Sequence, residues 1–457
     1  MLEKQSRLRS ILSPLRCFPA EILSEIFEHT VGPGGYSVMN TLDGPWSLSH
    51  VSRHWRATAV TGSGVLWSNM YIGIQNCGFR KKDHLSPLRT CLTRSHRRNI
   101  SVHLDYSVIL PKFEDKDEEM VQLLVDNCER CYSLEISDYR LEILIVLHKI
   151  RGRIPNLTNV VLRRPEQAIA TPIRIFEFPP KLCAVEIHGG FGVVLGPGNP
   201  SLISYEDYRR SPPRDSLHEH FTILQSCHNL QTFTKLHAYH DSLGPQVQNP
   251  PVILPQLRQF QGSHEDLIQC MTTPNLESFH LDVFRLQSFS NNRNILLNVR
   301  DLFIRSGCRC LSKLTLSNCA TSHILNILPL VPALAVFQFE FTIWKDRDID
   351  ESIFRSLFQQ MTNVDEVGML KVAPKLRELS FMVVPRHNGM SCFDGTLLNM
   401  VASRGKTLEK VEVKGYVQSG VWSPEHVSVF ETLLKGGMDI SLNNFRPWDF
   451  SGASVNS

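Results

Sequence analysis

Five short stretches carry residue types that could do chemistry. "RGKT" (404–407) has the lysine and threonine with which a phosphate-binding loop holds a nucleotide and its magnesium. The first glycine position of such a loop is Met400 here, and the stretch leads from a helical pattern into a strand. That reverses the strand–loop–helix order the loop needs, and a helix C-cap at Gly405 explains it. "DRDID" (346–350) opens like a calcium loop, but the sixth position is Glu351 instead of glycine and the twelfth is Leu357 instead of glutamate. "CERC" (128–131) and "CRC" (308–310) have no second pair at zinc-site spacing, and both precede strand patterns where small buried residues fit. "HEH" (218–220) lacks the i, i+4 arrangement of a helical zinc site. No nucleophile–base arrangement is visible. The sequence thus predicts no catalytic residue, metal site or cofactor, and an unrecognised α/β enzyme ranks only third among the readings.

Bulk composition narrows the class further. The chain has 457 residues, 42% of them hydrophobic, enough for a large core and more than one structural unit. Lys plus Arg is 48 and Asp plus Glu 45, a formal charge of +3 that offers no general attraction to nucleic acid or an anionic membrane. The basic run "RSHRRN" (94–99) is short, lacks interleaved aromatics and reads as a solvated face. "MLEKQSRLRS" holds no signal-like apolar stretch. The longest apolar run, 324–337, carries two prolines and is too short to span a bilayer. Twelve cysteines are scattered singly, the pattern of buried, reduced thiols. The sequons at Asn99 and Asn156 fall in or beside strand patterns and read as chance. The expected compartment is cytosol or nucleus, with no nucleic acid and no membrane as partner.

Without a catalytic cluster, attention moves to residues that must be buried against something. In "CFPAEILSEIFEHT" (17–30), Pro19 sits where a helix's first turn accepts proline, and Glu21 favours the positive end of the helix dipole. Ile22, Leu23, Ile26 and Phe27 pair at i and i+4 into a wide apolar face. A loop rich in Gly, Pro and Asn follows, from Gly32 to Pro45. Ser47 is the expected N-cap of a second helix. Its stripe is Leu48, Val51, Trp55 and Ala59, at offsets 0, 3, 7 and 11, flanked by Arg53, His54 and Arg56. After a turn at Gly62–Gly64, Val65, Leu66 and Trp67 are expected to form a short third element. Three small helices in about fifty residues make a poor core alone. They must pack on the rest of the chain or on another protein.

These residues resemble a family. "FPAEILSEIF … LSHVSRHWRATAVTGSGVLWSNM" is similar to the F-box, whose usual pattern is Leu-Pro-x-Glu-Ile/Leu-Leu, then Leu-x-x-Val-Cys-x-x-Trp, then Leu-Trp. The match covers Leu15 to Met70 in three separated segments. Phe18 replaces the leucine before Pro19, Ser52 stands where cysteine is common, Gly64 stands where proline is common, and the first loop is longer than in many members. None of these removes an apolar contact residue. The resemblance implies docking on the Skp-type adaptor of a cullin–RING (SCF-type) ubiquitin ligase, while the remainder of the chain selects a protein substrate. By the same carry-over Phe18, Pro19, Ile22, Leu23, Ile26 and Phe27 form the first docking segment. Leu48, Val51 and Trp55 form the second, and Leu66 and Trp67 the third. Such helix-face recognition rests on a few apolar anchors worth about 2 kcal/mol or more each. The competing expectation is that the same stripe packs on the C-terminal domain.

Downstream, "ISVHLDY" (100–106) alternates like a half-buried strand, and "EDKDEEMVQLLVDNC" (114–128) starts a helix with Met120, Leu123, Leu124 and Cys128 on one face. A unit then recurs: leucine, an apolar residue three later, another two beyond. Complete copies are Leu157/Val160/Leu162, Leu182/Val185/Ile187, Leu276/Phe279/Leu281, Leu311/Leu314/Leu316, Leu334/Phe337/Phe339, Leu376/Leu379/Phe381 and Leu408/Val411/Val413. Partial copies are Leu134/Ile136, Leu230/Phe233 and Leu257/Phe260. Proline precedes the leading leucine by two at Pro155, Pro180, Pro255, Pro274, Pro332 and Pro374, marking turns into strands. Helical patterns lie between copies, for example 266–271, 323–328, 351–361 and 396–405.

Alternation of this kind suggests an irregular leucine-rich-repeat-like α/β solenoid, with a less regular α/β domain as runner-up. The expected organisation is a tail (1–14), the F-box-like module (15–70), a connecting helix and first strand (71–110), the solenoid (111–445) and a second tail (446–457). The stretches 192–215 and 240–255 read as insertions or loops. On the outward face of the strands, His280, Asp282, Gln338, Glu340, Lys410, Glu412 and Lys414 are the candidate substrate contacts, with an ordinary solvated face as the alternative. Trp344, Trp422 and Trp448 are candidate interface anchors or caps of the core. The leading expectation is a non-catalytic substrate receptor. The second is a repeat-type binding scaffold outside any ligase, its N-terminal helices serving only as a cap.

Overall fold

The computed structural model describes residues 18–32, 34–62, 64–73, 85–106, 113–137, 141–163, 173–189, 193–196, 199–209, 216–236, 251–283, 295–319, 323–341, 347–364, 366, 368, 370–383, 395–415 and 424–442. Among them are thirteen α-helices and a large parallel β-sheet component, an α/β fold. Two compact units divide the chain, Met1–Cys227 and His228–Ser457. No helix among the described residues is long and apolar enough to cross a membrane.

The first unit opens with three short helices, α1 (Ala20–Thr30), α2 (Gly44–Val51) and α3 (Arg53–Thr61), and a 3-10 turn (Gly64–Trp67). Seven strands follow the chain in order: β1 (Tyr36–Ser37), β2 (Asn69–Gly73), β3 (Ile100–Asp105), β4 (Cys131–Ser137), β5 (Asn159–Arg163), β6 (Ala184–Ile187) and β7 (Ser204–Asp207). Each pairs parallel with the next. Their connections include α4 (Leu85–Arg94), α5 (Asp115–Asp126) and α6 (Leu141–Leu147), and α7 (Ser216–Ser226) follows β7. Acidic residues start α5 as the dipole favours, closed by a capping box between Glu114 and Asp117.

Register explains the recurring leucine unit. Met70, Val102, Leu134, Val160, Val185 and Tyr205 align across β2–β7 as one buried row. Ile72, Leu104, Ile136, Leu162, Ile187 and Asp207 align as the next. Strand residues two apart share a face, so both later positions of the unit enter the core. The leading residue lies just before its strand and is also sealed, as at Leu157, Leu182 and Leu202.

That alignment corrects one expectation. The stretch 192–215 is not simply an insertion, because it contains β7 with Leu202, Tyr205 and Asp207 in the three positions of the unit. An aspartate at the last position hid the pattern. Of the stretch 240–255, residues 240–250 lie outside the described residues, and β9 (Val252–Ile253) falls at its end.

In the second unit β8 (Thr232–Lys235), β10 (Gln259–Gln261), β12 (Ser278–Asp282), β13 (Lys313–Ser317), β14 (Val336–Phe341), β15 (Glu378–Val383), β16 (Lys410–Gly415) and β17 (Asp439–Leu442) pair parallel in that order. β9 pairs separately with β11 (Met271–Thr272). The helices are α8 (Glu265–Cys270), α9 (Ile295–Ser306), α10 (Ile324–Ile327), α11 (Arg347–Thr362), α12 (Gly395–Ser403) and α13 (Pro424–Lys435). Phe233, Phe260, Phe279, Leu314, Phe337, Leu379 and Val411 form the matching buried row. Within it Phe233, Phe260 and Phe279 stack face to face, with centroids 5.8 and 5.4 Å apart.

Arginines tie successive pieces together. Arg130 donates to the carbonyls of Leu92 (2.8 Å) and His96, and Arg305 to those of Ile268 (2.8 Å) and Met271 (2.9 Å). Arg404, from the "RGKT" stretch, is fully buried and donates to Met361 (2.7 and 3.0 Å), Val372 (2.5 Å) and Ala373 (2.8 Å) carbonyls. A guanidinium suits this role because its donors fan out in a fixed plane. The nine described cysteines are free thiols, six of them buried. Burial pushes Cys91, Cys131 and Cys319 up to about 12.

Candidate functional site

The N-terminal helices build an apolar face in two layers. On α1, Leu23 and Phe27 point inward and are sealed, while Ile22 (45% exposed) and Ile26 (36%) point out. Pro19 occupies the N-cap and is exposed, and Phe18 is half-buried. The i, i+4 spacing placed all four residues on a broad face, and the fold splits that face between core and solvent.

The expected second helix is two helices. Asp43, and not Ser47, is the N-cap of α2. Its carboxylate accepts the N–H of Gly44 (2.8 Å) and of Ser37 (3.2 Å), whereas the Ser47 hydroxyl donates to the Gly44 carbonyl (2.8 Å) inside the helix. Pro45 at the first turn and Gly44 at φ +46° fix this start. A Cβ at Gly44 would stand 2.5 Å from Tyr36 Cβ, so glycine is required there. Ser52 then breaks the chain into extended backbone (φ −158°, ψ 169°) and caps α3, its hydroxyl accepting the Trp55 N–H (3.1 Å). The stripe is thereby distributed over two axes. Val51 ends exposed (53%), Leu48 and Trp55 half-buried, and Ala59 sealed.

Packing locks these pieces. Trp55 lies 5.0 Å from the Phe27 ring, His54 Nε2 is 2.8 Å from the Phe18 carbonyl, and Arg56 Nε donates to the Ser49 carbonyl (2.8 Å). Trp67 is the leading residue of the repeat unit completed by Met70 and Ile72 on β2, and it is wholly buried. Its indole N–H donates to the Ala59 carbonyl (2.6 Å), Trp46 meets it edge-on at 5.1 Å, and Arg94 lies 4.6 Å over its ring. Burial also holds the Tyr36 hydroxyl well above its ordinary range beneath this cluster.

Of the eleven expected docking residues, Pro19, Ile22, Ile26 and Val51 are therefore exposed, and Phe18, Leu48 and Trp55 are half-buried. Leu23, Phe27, Leu66 and Trp67 are interior and support the face from beneath. Val65 (42% exposed) and Leu42 are further exposed apolar residues of this segment that were not among the expected eleven. Val65 carried a usable signal, since it precedes two residues already committed to the core.

The seven expected substrate contacts share one face of the second unit's strands. His280 aligns with Thr315, Gln338, Ser380 and Glu412; Asp282 aligns with Ser317, Glu340, Met382 and Lys414; Lys410 aligns with Glu378 and Asp439. Several bond along their rows: Gln338 accepts from Thr315 (3.1 Å), Glu340 from Ser317 (3.3 Å) and Glu412 from Ser380 (3.3 Å), and Lys414 pairs with Glu412 at 3.1 Å. Burial lowers the His280 pKa, and the Lys414 hydrogen bond lowers that of Glu412. An equivalent row in the first unit went unseen, with Tyr71, His103, Glu135 and Glu186 aligned on β2–β6 and linked through Arg163. Its alternation was legible but fell in partial or complete copies whose outward residues were not followed.

The histidines of "HEH" part company: His218 is exposed, while His220 is sealed with its Nε2 2.8 Å from Asp207 Oδ2. Arg209 reaches Asp207 through two bonds (2.6 and 2.9 Å) and Glu219 at 3.3 Å, all in the interior. Asp207 brings this network in by taking a leucine's place. Among the described residues no group of three or more His, Cys, Asp or Glu is arranged to hold a metal ion. Trp344, Trp422 and Trp448 lie outside the described residues. No family model matches the chain, and no curated protein matches it in sequence.

Proposed function

We propose that the chain is the substrate-recognition subunit of a cullin–RING (SCF-type) ubiquitin ligase, acting without catalysis of its own. In this reading residues 15–70 are an F-box that docks a Skp-type adaptor. The parallel strands and their helices are an irregular leucine-rich-repeat-like solenoid whose outward face meets a protein substrate inside the cell. One observation carries the reading: Ile22, Ile26 and Val51 remain exposed above a sealed base of Leu23, Phe27 and Trp67. Apolar side chains held outward on a rigid base are what helix-face recognition uses.

The second reading, a repeat scaffold outside any ligase, is favoured by Trp67. As the leading residue of the unit completed on β2, it ties the N-terminal helices to that strand, as a cap would be tied. Co-expression with a Skp-type adaptor separates the two. A one-to-one complex that is lost on Ile26→Asp or Val51→Asp supports the receptor. No complex supports the scaffold, and a complex indifferent to both substitutions shows that the named anchors are wrong.

A further inference from the structure

Along α4 and the turn after it runs a groove that the docking reading does not use. Its first part, about 510 Å³, is lined by Leu85, Ser86, Arg89, Thr90, Thr93 and Arg94. From Ser86 onward these positions follow i, i+3, i+4, i+7 and i+8, so one face of the helix supplies most of the wall. Its second part, about 730 Å³, shares Arg89 and Thr93 and adds Arg97, His96 and Arg130. The volumes lie in the range of small-molecule sites.

Arginine is the signature of this groove. Arg89 and Arg97 are exposed, and among the described residues neither is bonded to a carboxylate, although Asp126 and Glu129 border the second part. Arg94 is more telling. Its guanidinium is clamped 4.6 Å from the Trp67 ring and 5.4 Å from the Trp46 ring. Its buried Nη1 and the Trp46 Nε1 have no hydrogen-bond partner among the described residues. Buried donors without acceptors are costly and uncommon in native structures. A guanidinium held in place at the groove wall, beside two exposed ones, matches a multiply charged oxyanion.

We propose that this groove binds a small polyphosphorylated ligand. The carboxylates of Asp126 and Glu129 at its far end oppose a continuous polyanion such as a nucleic acid strand, and they suit an anion of finite length. The chain's near-neutral total charge points the same way. The basic run at 94–99 is, on this argument, one end of a binding groove. This inference is independent of adaptor docking, because Arg89, Thr93 and Arg97 are not among the apolar anchors.

Sodium tripolyphosphate is the probe, titrated calorimetrically into the full chain at moderate salt. Saturable one-to-one binding is expected, weakened at least about tenfold by Arg89→Glu and by Arg97→Glu. Thr93→Glu, which removes no arginine, is expected to weaken it equally, while Lys435→Glu in the second unit leaves it unchanged. All four positions are exposed, and circular dichroism with denaturant unfolding reports that each variant is folded. Absence of saturable binding, equal affinity in Arg89→Glu, or tighter binding of a phosphoserine peptide or a single-stranded oligonucleotide would overturn the proposal.

Discussion

Replacing Ile22, Ile26 and Val51 together by alanine separates partner contact from internal packing. Fully burying such a side chain is worth about 2 kcal/mol. With 45%, 36% and 53% of these residues still exposed, a partner that covers them gains about 1 kcal/mol from each, about 3 kcal/mol together. That sum corresponds to roughly a hundredfold in Kd. In the isolated chain each substitution removes only the part of the side chain already covered, at most about 1 kcal/mol each. Phe27→Ala behaves in the opposite way. It empties a sealed site against Trp55 and costs about 3–5 kcal/mol of folding stability. Titration calorimetry against a purified Skp-type adaptor, with denaturant unfolding of each variant alone, reads both quantities. The reasoning fails if the triple variant binds within threefold of the parent chain, or if it unfolds as readily as Phe27→Ala.

Arg404→Met strips donors from the carbonyls of Met361, Val372 and Ala373. Unsatisfied buried acceptors cost about 1–3 kcal/mol each, so denaturant unfolding should register a loss of at least about 3 kcal/mol, and less than about 1 kcal/mol would contradict the bonding described. Asp207→Leu restores the apolar position of the repeat yet leaves Arg209 as a buried cation, and stability should fall by about 3–5 kcal/mol. Adding Arg209→Met should recover most of that loss, and a double variant no better than the single one would show that the pair is not the cause. Glu186 has its pKa lowered mainly by the His188 hydrogen bond (2.7 Å), assisted by Arg163. Its contribution is therefore complete above the ordinary glutamate pKa and fades as pH falls through the lower folded value. Glu186→Gln should flatten the stability profile on that acid side and leave its slope at neutral pH unchanged.

Much of the strand framework was legible because its signal is local. Each complete leucine unit fixes a turn, a strand and two inward positions within six residues, and all seven copies fall on strands with the expected positions buried. β7 escaped because Asp207 is polar, and a buried aspartate is intelligible only once Arg209 and His220 are seen beside it. The helical module was legible as a set of apolar residues but not as a division of them. Whether Leu23 or Ile22 faces the core depends on where Trp55 lands, and that depends on the extended Ser52. A stripe counted along one uninterrupted helix cannot reveal a break that conserves the count. The role of Arg404 was not legible for a related reason: its sequence context shows a helix end, while its three acceptor carbonyls come from residues 31 to 43 positions away.

The two layers of the N-terminal module have a thermodynamic consequence. Trp67 is held by the Ala59 carbonyl, by Trp46 and by Arg94, and it leads directly into β2. The base of the apolar face is thus ordered by the folding of the first unit itself. Ordering side chains at an interface costs about 0.5–1.5 kcal/mol apiece when it happens on binding. Ile22, Ile26 and Val51 stand on helices already pinned by Phe27–Trp55 contact and by His54 against the Phe18 carbonyl, so their backbone incurs none of that cost. Each exposed anchor can then contribute nearly its full transfer free energy. If the face docks a partner, Ile22, Ile26 and Val51 must carry the contact, because Leu23, Phe27, Leu66 and Trp67 beneath them are sealed within the fold.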